Sequence, residues 1–162
     1  ASDFQKLRAT HYQYNDLAVT PSSPRLISDV QGDSFELIAE FEPEDSGQTG
    51  LIVRSTSDGK EQTRIVYQWA TQYLSIDRQR TSLDPKVDSD SYGGRVELKP
   101  GERLKLHVFL DHSVVEVFAN ERACLTSRIY PSRSDSLGIG VFTQNGNAQV
   151  HSLDIWEMRS IW

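Results

Sequence analysis

HVFLDHSVVEVFAN, residues 107–120, carries the decision about the fold. It joins the ends of two runs rich in β-branched, aromatic and long apolar side chains, RLKLHVFL (103–110) and SVVEVF (113–118). Only Asp111-His112 separates them, and a two-residue connector between such runs predicts a tight hairpin. Asp and His side by side also suggest chemistry. Adjacent residues on a strand point to opposite faces, however, and no serine or cysteine is held against this pair, so the two read as turn residues rather than a relay.

Working outward, the same period of two recurs along the chain. In SFELIAEFEP, Phe35, Leu37, Ala39 and Phe41 alternate with Glu36, Ile38, Glu40 and Glu42, which is the pattern of a half-buried strand. GLIVRS (50–55), RIVYQW (64–69), QYLSIDR (72–78), RVELK (95–99), ACLTSRIY (123–130), LGIGVFT (137–143) and AQVHSLDIWEM (148–158) read alike. The connectors EDSGQ, TSDGK, DSDSYGG, KPGE, PSRSDS and QNGN are turn formers. Beyond the short FQKLR turn, no segment sustains a 3.6-residue period. The expected fold is therefore all-β, a two-sheet antiparallel β-sandwich of jelly-roll, concanavalin-like type, with a barrel as the other closure. Residues 1–20 read as a lead-in, because HYQYNDLAVTPSSP mixes aromatics with turn formers and ends in prolines, and residues 21–162 read as the sandwich.

At 162 residues the chain is one domain, long enough to fold without metal or disulfide. Seventeen basic against 23 acidic residues leave a net charge of −6, which argues against nucleic acid or an anionic membrane as partner. Cys124 is the single cysteine, so no internal disulfide forms.

Glu116 lies between Val115 and Val117 on a strand whose two faces both read as apolar. A charge there calls for a partner, and Arg54, then Arg122 or Arg128, are the candidates for a structural buried ion pair, with a ligand-facing carboxylate as the other reading. A ligand surface is sought along Tyr67 and Trp69, with Tyr73, Asp77 and Arg54 adding polar groups, because sugar rings stack on aromatic faces; the same alternation equally suits core packing. The histidines His11, His107, His112 and His151 lack ligand spacing, so neither metal nor cofactor is expected. The acidic run Glu40, Glu42, Glu44, Asp45 reads as a solvated strand face rather than the facing carboxylates of a glycosidase, and no phosphate loop or Gly-x-Ser-x-Gly elbow occurs.

YLSIDRQRTSLDPKVDSDSYGG (73–94), LKLHVFLDHSVVEVFANERACLTSRIYPSRSDSLGIGVF (104–142) and the closing LDIWEMRSIW together resemble the C-terminal β-sandwich domain of glycoside hydrolase family 32, the invertases and fructan hydrolases. The opening FQKLRATHYQY is similar to the segment by which those enzymes leave their catalytic domain. The resemblance implies a partner, a five-bladed β-propeller of the same polypeptide, and fructan or sucrose as the substrate class. It also implies that catalysis lies elsewhere. The family's Asn-Asp-Pro, Arg-Asp-Pro and Glu-Cys motifs are absent, since Asn15-Asp16 precedes Leu17, Asp84-Pro85 follows Leu83, and Cys124 follows Ala123. No catalytic residue is assigned. A structural domain packed on a propeller is the leading expectation; an independent fructan-binding module and an enzyme of unrecognised chemistry are the alternatives.

Overall fold

The computed structural model describes residues 8–22, 25–45, 47–79, 81–83 and 92–158. Residues 4–7 of the FQKLR turn, 84–87 of the Leu-Asp-Pro-Lys-Val loop and the closing 159–162 lie outside the described residues. Within them the chain forms β1 (Arg8–Val19), β2 (Arg25–Gln31), β3 (Ser34–Phe41), β4 (Gln48–Ser55), β5 (Thr63–Gln68), β6 (Tyr73–Asp77), β7 (Tyr92–Arg95), β8 (Leu104–Asp111), β9 (Val114–Ala119), β10 (Ala123–Arg128), β11 (Gly138–Gln144) and β12 (Ala148–Met158). One sheet has the order β1-β12-β3-β8-β9-β10 and the other β2-β11-β4-β5-β6-β7, every pairing antiparallel. The two-sheet antiparallel sandwich read from the periodicity is the fold.

Alternation explains which side chains fill it. Phe35, Leu37, Ala39 and Phe41 of β3 face the core together with Leu104, Leu106, Val108 and Leu110 of β8 and Val115, Val117 and Ala119 of β9. The second sheet answers with Leu51, Val53, Ile65, Tyr67, Leu74, Ile76, Ile139 and Val141. Burial of this apolar set is the main stabilising term, since backbone hydrogen bonding largely exchanges one partner for another.

Several elements depart from the sequence reading. The segment read as a lead-in supplies β1, the longest strand, which edges the first sheet against β12. RLISDVQ, not among the expected strands, forms β2 at the edge of the second sheet. The expected strand RVELK is replaced by β7, YGGR, because Gly93 and Gly94 sit in the ladder rather than in a turn. The β8–β9 register pairs Asp111 with Val114, so the turn is His112-Ser113, one residue later than predicted. His112 takes φ +52°, and its backbone N–H donates to the Asp33 carbonyl at 2.7 Å.

Among the ladder irregularities, those in β12 and β4 reset the alternation around the core and Arg54. Between β3 and β12, Phe41 pairs with Val150 but Glu40 pairs with Ser152, which leaves His151 as an extra residue. Val150 and Leu153 can then both be buried although three positions apart. On the far side the β1 ladder is regular from His11 to Val19, with Asn15 opposite Ser152 and Leu17 opposite Val150, so Asp16, at φ +53°, accompanies the bulge. In β4, Gly138 pairs with Ser55 and Gly140 with Ile52, and the surplus residue includes Arg54, at φ +49°.

Candidate functional site

The residues expected to form a ligand surface are dispersed. Tyr67 and Trp69 are 0% and 7% exposed and pack edge to face, ring centroids 4.9 Å apart, inside the core. Their polar atoms are used up there: Tyr67 Oη donates to the Val96 carbonyl at 2.7 Å and Trp69 Nε1 to Thr49 Oγ1 at 3.1 Å. Burial, with the nearby Glu102 carboxylate second, pushes the Tyr67 hydroxyl up to about 12. The correction has a geometric cause. Pairing across Ala70-Thr71 sets Gln68 opposite Tyr73, Tyr67 opposite Leu74 and Arg64 opposite Asp77. A turn with an even number of residues, here the four from Trp69 to Gln72, matches odd positions with even ones, so Tyr73 and Asp77 share the outer face with Gln68 and Arg64, not with Tyr67 and Trp69. Asp77 lines a shallow depression with Gln62, Arg64 and Gln79 and accepts the Gln79 N–H at 3.0 Å. Arg54 is elsewhere, aimed by its bulge so that Nη1 lies 3.2 Å from Asp33 Oδ2.

The expected ion pair of Glu116 is also corrected. Arg54 is taken by Asp33, and Arg122 lies against both carboxylate oxygens of Glu102. Among the described residues Glu116 has no ion-pair partner. It is half-buried rather than buried, because odd positions of β9 fill the core while Glu116 falls on the outer face between Phe109 and Thr126. Burial raises the Asp33 carboxyl, but the hydrogen bond and charge of His112, joined by Arg54, outweigh it and leave the group below its usual range.

The outer face of the first sheet is mixed but carries an apolar patch of Trp156, Ile38, Phe109 and Phe118, and Phe118 with Val114 on either side of Glu116 is why both faces of β9 read as buried. One register level crosses all six strands as His11, Trp156, Glu36, Phe109, Glu116 and Thr126; the next reads Gln13, Asp154, Ile38, His107, Phe118 and Cys124. Glu36 is 1% exposed although it points away from the core, and its Oε2 lies 2.6 Å from His107 Nε2. The His107 ring leans on Phe109 at 4.6 Å, and Phe109 meets Phe118 edge to face at 6.1 Å. At the sheet edge His11 stacks on Trp156 at 4.6 Å and 8°, while its Nε2 lies 2.9 Å from Asp154 Oδ1. Each imidazole is thus fixed through a nitrogen against a carboxylate and through its face against an aromatic ring. Sequence reasoning missed Glu36 and His107, because their meeting depends on the β3–β8 register across 71 positions.

A third cluster, also missed, closes one end of the sandwich. Glu61, in the turn before β5, is 0% exposed. Its Oε1 accepts from Arg133 N–H at 3.0 Å and Ser136 Oγ at 2.6 Å; Oε2 accepts from Leu83 N–H at 2.7 Å, Ser132 N–H at 2.9 Å and the Ser132 hydroxyl. Burial alone would raise this carboxyl, but the Ser132 and Ser136 hydroxyls and the backbone donors hold it down to about 2. Beside it Arg133 grips Asp135 through Nε and Nη2 and reaches Asp58 at 2.8 Å. The Thr56 hydroxyl, then Arg133, keep Asp58 well below the usual carboxylate range. The connectors TSDGK and PSRSDS are therefore one pinned structure.

Residues 3–157 match the family described as glycosyl hydrolases family 32 C terminal. The levanase of Bacillus subtilis (strain 168) is 31% identical over 166 residues, an alignment covering 99% of this chain and 24% of the levanase. The fructan β-fructosidase of Streptococcus mutans is 27% identical over 160 residues, covering 94% and 11%. Among solved structures, fructan 1-exohydrolase IIa from Cichorium intybus superposes with a TM-score of 0.86 at 22% identity, over 98% of this chain and 37% of that one. Exo-inulinase from Aspergillus awamori gives 0.82 at 23% identity, over 98% and 31%. At those identities the superpositions speak for the fold alone, and the chain spans about a quarter of the levanase it matches.

Proposed function

The chain belongs to the glycosyl hydrolase family 32 C-terminal domains, and from that premise we propose that it is the non-catalytic sandwich of a β-fructofuranosidase-type enzyme acting on fructans or sucrose. Its first sheet seats its outer face on a five-bladed propeller catalytic domain of the same polypeptide. The observation that carries this reading is the row Trp156, Glu36, Phe109, flanked by His107, Phe118 and Ile38, on an outward face. Contiguous aromatic and aliphatic side chains around a desolvated carboxylate have the composition of an interface core, rimmed here by Gln13, Asn15 and Thr126. The chain's small share of its relatives leaves the rest of their length for catalysis.

Glycoside hydrolysis needs two carboxylates flanking the scissile bond, one of them able to give up a proton to the leaving group. Glu36 is enclosed beneath rings and engaged by His107, and Glu61 is saturated by donors. Neither of these two carboxylates is free to serve, and the role proposed for the domain is to bury a flank of the propeller and steady it.

The test uses the catalytic portion of the parent and this chain expressed separately. They should associate, and Trp156→Ala, folded by circular dichroism, should weaken the complex about tenfold or more. No association, or a Trp156→Ala affinity equal to wild type, would overturn the docking face. The chain alone should release no fructose from levan, inulin or sucrose; release abolished by one Asp or Glu substitution in it would overturn the non-catalytic assignment.

A further inference from the structure

The outer face of the second sheet carries a different chemistry. At one register level five strands present Gln144, Gln48, Gln68, Tyr73 and Arg95 in a line, from β11 through β4, β5 and β6 to β7. Beside this line, at the end of the sheet, lies a cleft of about 270 Å³ lined by Gly47, Gln48, Gln68, Ala70, Thr71 and Asn145, without a charged side chain.

The cleft is preformed. Trp69 N–H donates to the Gly47 carbonyl at 3.1 Å, tying the β5–β6 turn to the start of β4. Gly47, at φ +84°, lies so close to the β11–β12 turn that an added Cβ would sit 2.8 Å from the carbonyl oxygens of Gln144 and Asn145. Thr71 Oγ1 donates to Gln68 Oε1 at 3.0 Å, which fixes that amide and turns its N–H groups away from the turn. Among the described residues the Gln48 side chain makes no hydrogen bond. Tyr73 is 41% exposed, and the reason is beneath it: a Cβ on Gly93 would fall 2.4 Å from the Tyr73 ring, so only glycine lets the ring lie down on the neighbouring strand with its other side open to solvent.

An exposed ring lying flat, next to side-chain amides that each offer both a donor and an acceptor, matches the two needs of a sugar, an apolar ring face and hydroxyls that donate and accept. The cleft lining carries no charge, and Arg95 beside Tyr73 is paired with Glu97 at 3.2 Å, which disfavours anions, cations and charged peptides. We propose that this cleft and Tyr73 form a binding subsite for a neutral oligosaccharide, a segment of fructan, with a furanose ring against Tyr73 and its hydroxyls on Gln48, Gln68 and Asn145. The fructan assignment takes its substrate class from the function proposed above, but the site does not depend on the docking face, which lies on the opposite sheet. It would hold the chain of a polymeric substrate while another part of the enzyme acts on its end.

The experiment is an NMR titration of the 15N-labelled chain with levan-derived and inulin-derived oligosaccharides, and with a maltooligosaccharide of equal length. Saturable shifts are expected at Gln48, Gln68, Thr71, Tyr73 and the Asn145 side-chain amide, with a Kd in the range of about 1 mM that a shallow, water-competed site supports. Tyr73→Ala should weaken binding about fivefold and Tyr73→Phe leave it within about twofold, since the ring rather than the hydroxyl does the stacking. Because Tyr73 is exposed, both variants should keep the wild-type spectrum elsewhere. No saturable shift, shifts centred on the first sheet, or equal affinity in Tyr73→Ala would overturn the site. Equal binding of the maltooligosaccharide would overturn its fructan specificity. Failure of this titration leaves association with the catalytic portion untouched, so the two readings fail separately.

Discussion

Replacing Glu61 by glutamine changes one oxygen to an NH₂ group and should destabilise the domain by about 3 kcal/mol at pH 7. The magnitude comes from the hydrogen-bond set. Five donors converge on the carboxylate, three of them backbone N–H groups that cannot turn around. Whichever oxygen becomes nitrogen, at least one of the N–H groups of Arg133, Leu83 and Ser132 is left facing another donor, at roughly 1–3 kcal/mol for a buried unsatisfied group. Linkage gives a similar figure, since a carboxyl lowered from 4.5 to about 2 on folding stabilises the charged folded state by roughly 3 kcal/mol. The sign follows from the depression: the contribution is complete above the unfolded value and disappears as pH falls through the folded one. Wild type should therefore lose roughly 2 kcal/mol of its advantage over the variant between pH 6 and pH 3. Urea unfolding of both proteins at pH 7, 5, 4 and 3 measures this. A difference below about 0.5 kcal/mol at pH 7, or one that stays constant down to pH 3, would refute the account of Glu61 as a donor-saturated clamp.

Trp69→Ala should cost about 3–5 kcal/mol by opening a core cavity, and Tyr67→Phe about 1 kcal/mol by stranding the Val96 carbonyl, both read by denaturant unfolding; a loss below about 0.5 kcal/mol would place the Trp69 ring at the surface in the first case and remove the Tyr67 hydrogen bond in the second. Glu116→Gln should change stability by less than about 0.5 kcal/mol, and a loss of 2 kcal/mol or more in the same assay would restore a buried ion pair. Glu36→Gln should destabilise by about 1–3 kcal/mol, because a buried carboxylate gives up its contact with His107, and the His107 ring resonances should move with it in NMR spectra.

Local alternation is enough to read the sandwich: β3 and β8 show in sequence the faces they show in space, and TSDGK marks the reversal between β4 and β5. What escaped was parity and distance. Tyr67 and Trp69 share a hairpin with Tyr73 and Asp77 but not a face, because a turn with an even number of residues matches odd positions with even ones. Arg54 meets Asp33 rather than Glu116 because of a bulge with a left-handed residue, which leaves no trace in hydropathy. Glu36 and His107 meet only through a long-range register, and Glu61 looks like one more acid in a polar turn until the loops at 81–83 and 132–136 fold over it. Gly93 and Gly94 read as a turn because a strand glycine placed to admit a neighbouring ring has the same signature.

The surplus residue His151, matched across the ladder by Asp16, makes these two positions a single unit of insertion. Removing one alone would slide β1 against β12 by a residue and exchange the inner and outer faces of whatever lies beyond. Removing both takes out one rung: Leu17 still meets Val150, Asn15 still meets Ser152, and Trp156 still looks outward. Length variation in the two strands should therefore be correlated, a gap in one accompanied by a gap in the other although 135 positions separate them. The double deletion should fold where either single deletion fails.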